Sequence, residues 1–249
     1  MQAAILAGGY GTRLSKDCDL AKYIPKTLLP INYKPIISYI LNKIVLLSEI
    51  DKIYISIDQN SKPIFQLWHE SIKYNKTIKL VDEPRRDKSQ KLGAIGGLGY
   101  LIQQEGIPED LLVIAGDNLF NGFDIAEFIN FQRRKCSSVV ACYDVLNKEI
   151  AKNKYGVLIL DNNQRIIDFQ EKPIEPKTSL ISTACYILTK QSLKLLIKYL
   201  DDRNNPSDAP GHFIKWLSQR QATFGFIFTG KWFDLGDIDS YKQAEEHFS

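Results

Sequence analysis

The sequence predicts an α/β fold, a three-layer sandwich in which helices cover both faces of a mixed, mostly parallel central sheet. Three observations predict it. Short apolar runs alternate with helix-period segments through the first half of the 249 residues, the pattern of repeated βαβ units. Two of those runs, 3–7 and 111–115, stop at glycine-bearing turns, as buried strands do. The middle of the chain carries hairpin punctuation instead, so part of the sheet runs antiparallel.

Taken in order, Ala3 to Ala7 reads as a buried strand entering a tight loop at Gly8-Gly9. A helix follows over 35–47, where Ile36, Ile37, Ile40, Leu41, Ile44 and Leu47 recur at helical spacing and Pro35 suits a helix start. KIYISI at 52–57 alternates as a strand. Residues 61–74 are predicted helical, with Phe65, Trp68 and Ile72 on one face, 78–81 form a short strand, and 92–104 a helix despite its glycines. LLVIA at 111–115 is a strand that stops at Gly116-Asp117-Asn118. Asp124 suits the cap of a helix over 124–134. A strand at 138–143 precedes a hairpin of 156–160 and 166–169 around Asp161-Asn162-Asn163. The remainder reads as a strand (180–188), a helix (191–200), a loop (203–210), a helix (213–219), a strand (224–228) and a final helix (240–247). No repeat, low-complexity tract or long linker interrupts this order, so residues 1–249 are expected to form a single domain.

Composition narrows the class. Hydrophobic residues make up 44% and charged residues 24%, which excludes a disordered chain. A net charge of +3 is too mild to argue for nucleic acid, though it suits polyanionic ligands. The four cysteines, Cys18, Cys136, Cys142 and Cys185, form no CxxC pair and have no histidine at a metal-ligand spacing. They read as single thiols in a reducing compartment. The N-terminus lacks the basic region of a signal peptide, and no run approaches the ~20 apolar residues of a membrane span. A soluble cytoplasmic protein without a membrane or nucleic-acid partner is expected.

The sharpest feature is Leu6-Ala7-Gly8-Gly9-Tyr10-Gly11-Thr12-Arg13-Leu14. Glycines after a strand let backbone amides close around an anion, because no Cβ blocks the approach. The Thr12 hydroxyl and the Arg13 guanidinium add donors for phosphate oxygens. The spacing is not GxGxxG, and no Gly-Lys-Ser/Thr follows, so neither a dinucleotide site nor a Walker loop is indicated. A basic residue within the loop favours a triphosphate. The plainer alternative is a glycine-rich turn with a surface arginine.

This stretch resembles the signature of the sugar-1-phosphate nucleotidylyltransferases, of the glucose-1-phosphate thymidylyltransferase type. Further stretches match in the same order: Pro25-Lys26-Thr27-Leu28-Leu29-Pro30, Leu92-Gly93-Ala94-Ile95-Gly96, Ala115-Gly116-Asp117-Asn118, Tyr155-Gly156-Val157, Glu171-Lys172-Pro173 and Trp232-Phe233-Asp234-Leu235-Gly236. The resemblance runs from Ala3 to about Tyr241 and implies a Rossmann-like nucleotidyltransferase fold. It implies in-line transfer of a nucleotidyl group from an NTP to a sugar 1-phosphate with release of pyrophosphate, dTTP or UTP and glucose 1-phosphate being the first substrates to try.

By that resemblance Arg13, Lys26 and Asp117 are catalytic. Leu6, Ala7, Gly8, Gly9, Gly11, Thr12, Arg13, Gly93 and Asp117 surround the nucleotide. Gly156, Glu171, Lys172 and Ser182, with Thr183, serve the sugar phosphate. Asp117 and Asp234 hold Mg²⁺, which suits hard oxygen donors and phosphates. Each has a plainer alternative. Asp117 suits a turn, Asp234 a helix cap, Lys26 a solvated surface, Glu171-Lys172 an exposed ion pair, and Gly93 close packing of a helix on the sheet.

Two features depart from the family pattern. The segment between Arg13 and Lys26 is long and lacks its usual Pro and Thr, and Thr183-Ala184 replaces a more usual Thr-Gly. The sequence stops after the last helix, so the β-helix of acetyltransferase-fused relatives, and a second activity, are not expected. Two other functions compete. A cytidylyltransferase for a non-sugar phosphate would not need Glu171. A non-catalytic nucleotide-sugar sensor would have lost a carboxylate or the lysine. Homo-oligomer formation is compatible with the sequence and is not fixed by it.

Overall fold

The computed structural model describes residues 1–9, 14–84 and 92–248. β1 (Gln2–Leu6) is followed by the short α1 (Leu14–Asp17), the two-residue strands β2 (Pro30–Ile31) and β3 (Lys34–Pro35), and α2 (Ile36–Ile44). Next come β4 (Lys52–Asp58), α3 (Lys62–Ser71), β5 (Thr77–Glu83), α4 (Gly93–Glu105), β6 (Leu111–Ala115) and β7 (Asn118–Asn121). The middle comprises α5 (Ile125–Lys135), β8 (Ser138–Asp144), β9 (Gly156–Leu160), β10 (Ile166–Glu171) and β11 (Leu180–Leu188). The chain then runs through α6 (Lys190–Asp201), α7 (Pro210–Ser218), β12 (Thr223–Ile227), β13 (Lys231–Asp234) and α8 (Ile238–Phe248).

The expected mixed sheet is present. β5, β4, β1 and β6 run parallel, with Ala4 of β1 opposite both Tyr54 and Val113. β11 enters antiparallel beside β6 and also pairs with β8 and β9, while β9 and β10 form the predicted hairpin. The register of β11 against β8 shifts between Ser182 and Tyr186, and Ala184 there has φ +52°. That is a left-handed backbone, in which glycine is favoured.

Side-chain alternation along the strands separates two cores. Ala3, Ile5, Ile53, Ile55, Leu112 and Ile114 face α2, α3 and α5 through Ile37, Leu41, Phe65 and Phe128. Ala4, Tyr54 and Val113 face the other way, toward Leu98 of α4, Leu196 of α6 and Phe213 of α7. The glycines of α4 permit close approach: a Cβ on Gly99 would lie 2.2 Å from the Leu200 side chain. A third, smaller core joins Leu14, Leu29, Ile31, Ile36, Leu119, Leu235, Tyr241 and Ala244. It ties the Lys26 segment, β7 and α8 together.

Four strands escaped the sequence pattern, the two-residue β2 and β3 and the longer β7 and β13. β7 and β13 form a separate antiparallel ladder with Trp232 opposite Phe120 and Asp234 opposite Asn118. Asp234 therefore ends a strand, and the helix-capping alternative falls to Asp237, whose Oδ1 accepts from the Ser240 amide at 2.9 Å. Asp124 caps α5 as expected, accepting from the Glu127 amide at 3.0 Å. Among the described residues no helix is long and apolar enough to cross a membrane.

Candidate active site

A cavity of about 490 Å³ opens at the C-terminal ends of the parallel strands, where open α/β sheets place their ligands. Leu6 of β1, Asp58 of β4, Glu83 of β5 and Ala115 of β6 all line it. Gly8 and Gly9, which continue β1, line the same cavity, as do Lys26, Thr27, Gly93, Asp117, Ser182, Thr183 and Asp234. Ala7 is buried behind them, its amide donating to the Ser56 carbonyl at 2.8 Å. Gly11, Thr12 and Arg13 lie outside the described residues.

At the centre, the Lys26 ammonium donates to Asp117 Oδ2 at 2.6 Å. Lys26 is 10% exposed and Asp117 30%, so the pair is sheltered and the solvated-surface alternative for Lys26 does not hold. Asp117 follows β6, with the Gly116 amide anchored to the Leu6 carbonyl at 2.9 Å. Its Oδ1 accepts from the Asn118 amide at 3.2 Å, and Asn118 in turn accepts from the Trp232 indole at 2.6 Å. The Leu235 amide donates to the Asp117 carbonyl at 3.1 Å. The β7–β13 ladder thus brings Asp234 to the strand beside Asp117. Tyr155 closes this side; burial, with the charge of Asp234, pushes its phenol above its ordinary range.

Two carboxylates, Asp117 in the turn between β6 and β7 and Asp234 at the end of β13, supply hard oxygen donors suited to magnesium, which commonly takes one or two carboxylates plus substrate phosphates. Among the described residues no three His, Cys, Asp or Glu side chains converge as a metal site. An ion here would therefore complete its shell with phosphate oxygens and water. The Thr27 hydroxyl, beside Lys26, is buried without a hydrogen-bond partner, a donor left for a ligand or water.

The predicted sugar-phosphate residues are split. Ser182 and Thr183 line the cavity, on the irregular part of β11. Gly156 and Glu171 pair across the β9–β10 hairpin and are not among the lining residues. Glu171 packs against Gly211, where a Cβ would lie 1.8 Å from its Oε2. Burial pushes the Glu171 carboxyl up, while Lys172 and His212 pull it back. Lys172 is exposed with φ +45° and is not among the lining residues.

Gly93 lines the cavity, yet the space its Cβ would fill belongs to the backbone of Ser207 and Asp208, 2.4 Å away, and its φ is +73°. Close packing alone is enough to require a glycine there. Sequence reasoning also missed Glu83. Its carboxylate accepts from Ser56 Oγ at 2.9 Å and is wedged where a Cβ on Gly8 or Gly97 would come within 2.5 or 2.6 Å. Burial raises its pKa, the Ser56 hydrogen bond opposing. Its position at the end of a strand next to the glycine loop was the available signal. Trp232 and Asn118 stood in recognised stretches, but their coupling needed the ladder.

Comparisons with known proteins bear on the family and the fold. The chain is 31% identical over 241 residues to the bifunctional protein GlmU of Methanocaldococcus jannaschii, covering 95% of this chain and 51% of that one. It is 29% identical over 249 residues to the GlmU of Methanococcus aeolicus, covering 99% and 54%. The chain thus spans about half the length of the curated relatives it matches. Among solved structures, a UDP-glucose pyrophosphorylase complexed with UDP-glucose superposes with a TM-score of 0.81 at 21% identity, covering 99% of this chain and 97% of that one; this likeness speaks for the fold. The model of the nucleotidyl transferase family matches residues 2–249, and the chain belongs to that family.

Proposed function

We propose that this chain is a sugar-1-phosphate nucleotidylyltransferase that joins an NTP to a sugar 1-phosphate and releases pyrophosphate. The observation that carries the reading is the convergence of Gly8, Gly9, Lys26, Asp117 and Asp234 on one cavity at the strand ends. Both substrates are anions, so positioning and charge neutralisation are the main tasks. An oxygen of the sugar phosphate attacks the α-phosphorus in line, and the bond to the bridging oxygen of the β-phosphate breaks, so pyrophosphate leaves with that electron pair. Gly8 and Gly9 offer close backbone approach to the triphosphate, Lys26 supplies a positive charge, and Arg13 adds a second. Asp117 and Asp234 would hold Mg²⁺, which when bound offsets charge building on the phosphate oxygens. Ser182, Gly156, Glu171 and Lys172 are assigned to the sugar phosphate.

The resemblance favours dTTP or UTP with glucose 1-phosphate, and the UDP-glucose named in one structural neighbour is consistent with it. The four cysteines are free thiols, which suits a cytosolic setting. The test is a grid of each NTP against each sugar 1-phosphate with Mg²⁺, reading pyrophosphate. One pair should release it well above the others, and no release from any pair would overturn the reading.

A further inference from the structure

We propose that Lys26 occupies, in the free enzyme, the oxygen of Asp117 that the divalent cation takes during the reaction, so that lysine and cation compete and the cation enters together with the nucleotide. This rests on the reading of Asp117 and Asp234 as cation ligands.

Both oxygens of Asp117 are engaged. Oδ1 takes the Asn118 amide at 3.2 Å, and Oδ2 takes the Lys26 ammonium at 2.6 Å. The ammonium therefore sits on the more strongly engaged oxygen, at a distance that leaves no room for an ion between them. A cation placed on the same oxygen would stand beside the ammonium, and like charges that close repel strongly in a sheltered site. Lys26 does not drift away through its backbone. It lies in a short 3-10 turn, Lys26–Leu28, between Pro25 and Pro30, with Thr27, Leu28 and Leu29 buried as anchors. The side chain must swing off Asp117.

The protein offers a bare cation little in return. Among the described residues no third His, Cys, Asp or Glu side chain joins the two carboxylates. A triphosphate changes both sides of the exchange. It brings oxygens for the cation, and it offers Lys26 a new anion within the cavity that Lys26 already lines with Gly8 and Gly9. Cation and nucleotide then bind with positive coupling, and by linkage each tightens the other.

The experiment uses Mn²⁺ alone as the probe, with free ion counted by electron paramagnetic resonance, on the full chain. Wild type, Lys26→Met, Lys26→Gln, Asp117→Asn and the Lys26→Met/Asp117→Asn double variant are compared after circular dichroism has established which are folded. Removing the ammonium should tighten Mn²⁺ binding about tenfold, within the usual range of coupling between sites. Mn²⁺ should also raise the melting temperature of the Lys26 variants more than that of wild type, a readout available even for a weakened fold. Equal or weaker Mn²⁺ binding in both Lys26 variants would overturn the competition. If the double variant bound Mn²⁺ as tightly as Lys26→Met, the assignment of Asp117 as a ligand would fail instead, so the two failures are distinguishable.

Discussion

At the scale of single residues, Asp117 ties three segments of the cavity together, bonding to Lys26, Asn118 and the backbone of Leu235. Asp117→Asn should keep the fold, because the amide preserves the shape. It should lower kcat by ~10²-fold, the scale for loss of one key electrostatic element. Pyrophosphate release at saturating Mg²⁺ checks this, and near-wild-type turnover would remove Asp117 from the mechanism. Glu83 makes a different prediction. Burial favours its protonated form in the folded state. That preference stabilises the fold below the unfolded carboxyl value of about 4.3 and is lost as pH rises through the higher folded value. The ionised side chain is then a cost at neutral pH. Glu83→Gln should therefore melt higher than wild type at pH 7, and the gap should close toward pH 4. Urea melts across that range decide it; a gap independent of pH would show that Glu83 is not titrating as described.

At the scale of elements, the ladder of β7 and β13 pairs only four residues on each strand, too few to stand alone. Its support is the small core of Leu119, Leu235, Tyr241 and their neighbours. Leu235, fully buried beside Asp234, is a direct probe: Leu235→Ala should cost ~2–5 kcal/mol, the usual range for truncating a buried leucine. Denaturant melts measure it. β11 offers the opposite sign. Ala184 holds a left-handed backbone, so Ala184→Gly should be neutral or stabilising by up to ~1 kcal/mol, as strain relief offsets glycine's entropy. A clear loss of stability would show that the Ala184 methyl packs usefully in the cavity wall. These elements also mark what the sequence made legible. Helices such as α2 and α5 were readable because several turns of apolar spacing repeat the same message, and Asp124 announced its cap. NLFN and KWFD are too short to show a period, so β7 and β13 stay hidden in the sequence and a helix cap remains the plainer alternative for Asp234. The pairing that makes them strands sets Asp234 opposite Asn118, 116 positions away in the sequence (234 − 118), which no local pattern reveals.

At the scale of the whole molecule, the cavity collects residues from nearly the full length of the chain, from Leu6 to Asp234. Lys26, Asp117, Ser182 and Asp234 were legible as motif residues, and the fold brings all four to one cavity. Lys172 illustrates the limit, since its motif is intact while its side chain stands outside the lining. Whether a strand-end residue points into a site depends on local twist and φ, which here is +45°. Because ligand contacts come from distant parts of the sheet, an NTP should stabilise the molecule as a unit. At a hundredfold excess over Kd the gain is about 2.7 kcal/mol. Thermal melts should show a large upward shift with NTP and Mg²⁺ together and a much smaller one with NTP in the presence of EDTA. Equal shifts would deny any coupling between nucleotide and cation.

The late arrival of β13 has a consequence for how the protein is made. Most of the sheet, the buried residues of both large cores and the glycine loop are encoded by residue 228, whereas Asp234 and the partner strand of β7 follow. A product that ended before Lys231 would carry only one of the two carboxylates proposed to hold the cation, and would leave β7 without the strand it pairs with. Such a fragment also lacks Trp232 to hold Asn118, and through it Asp117, in place.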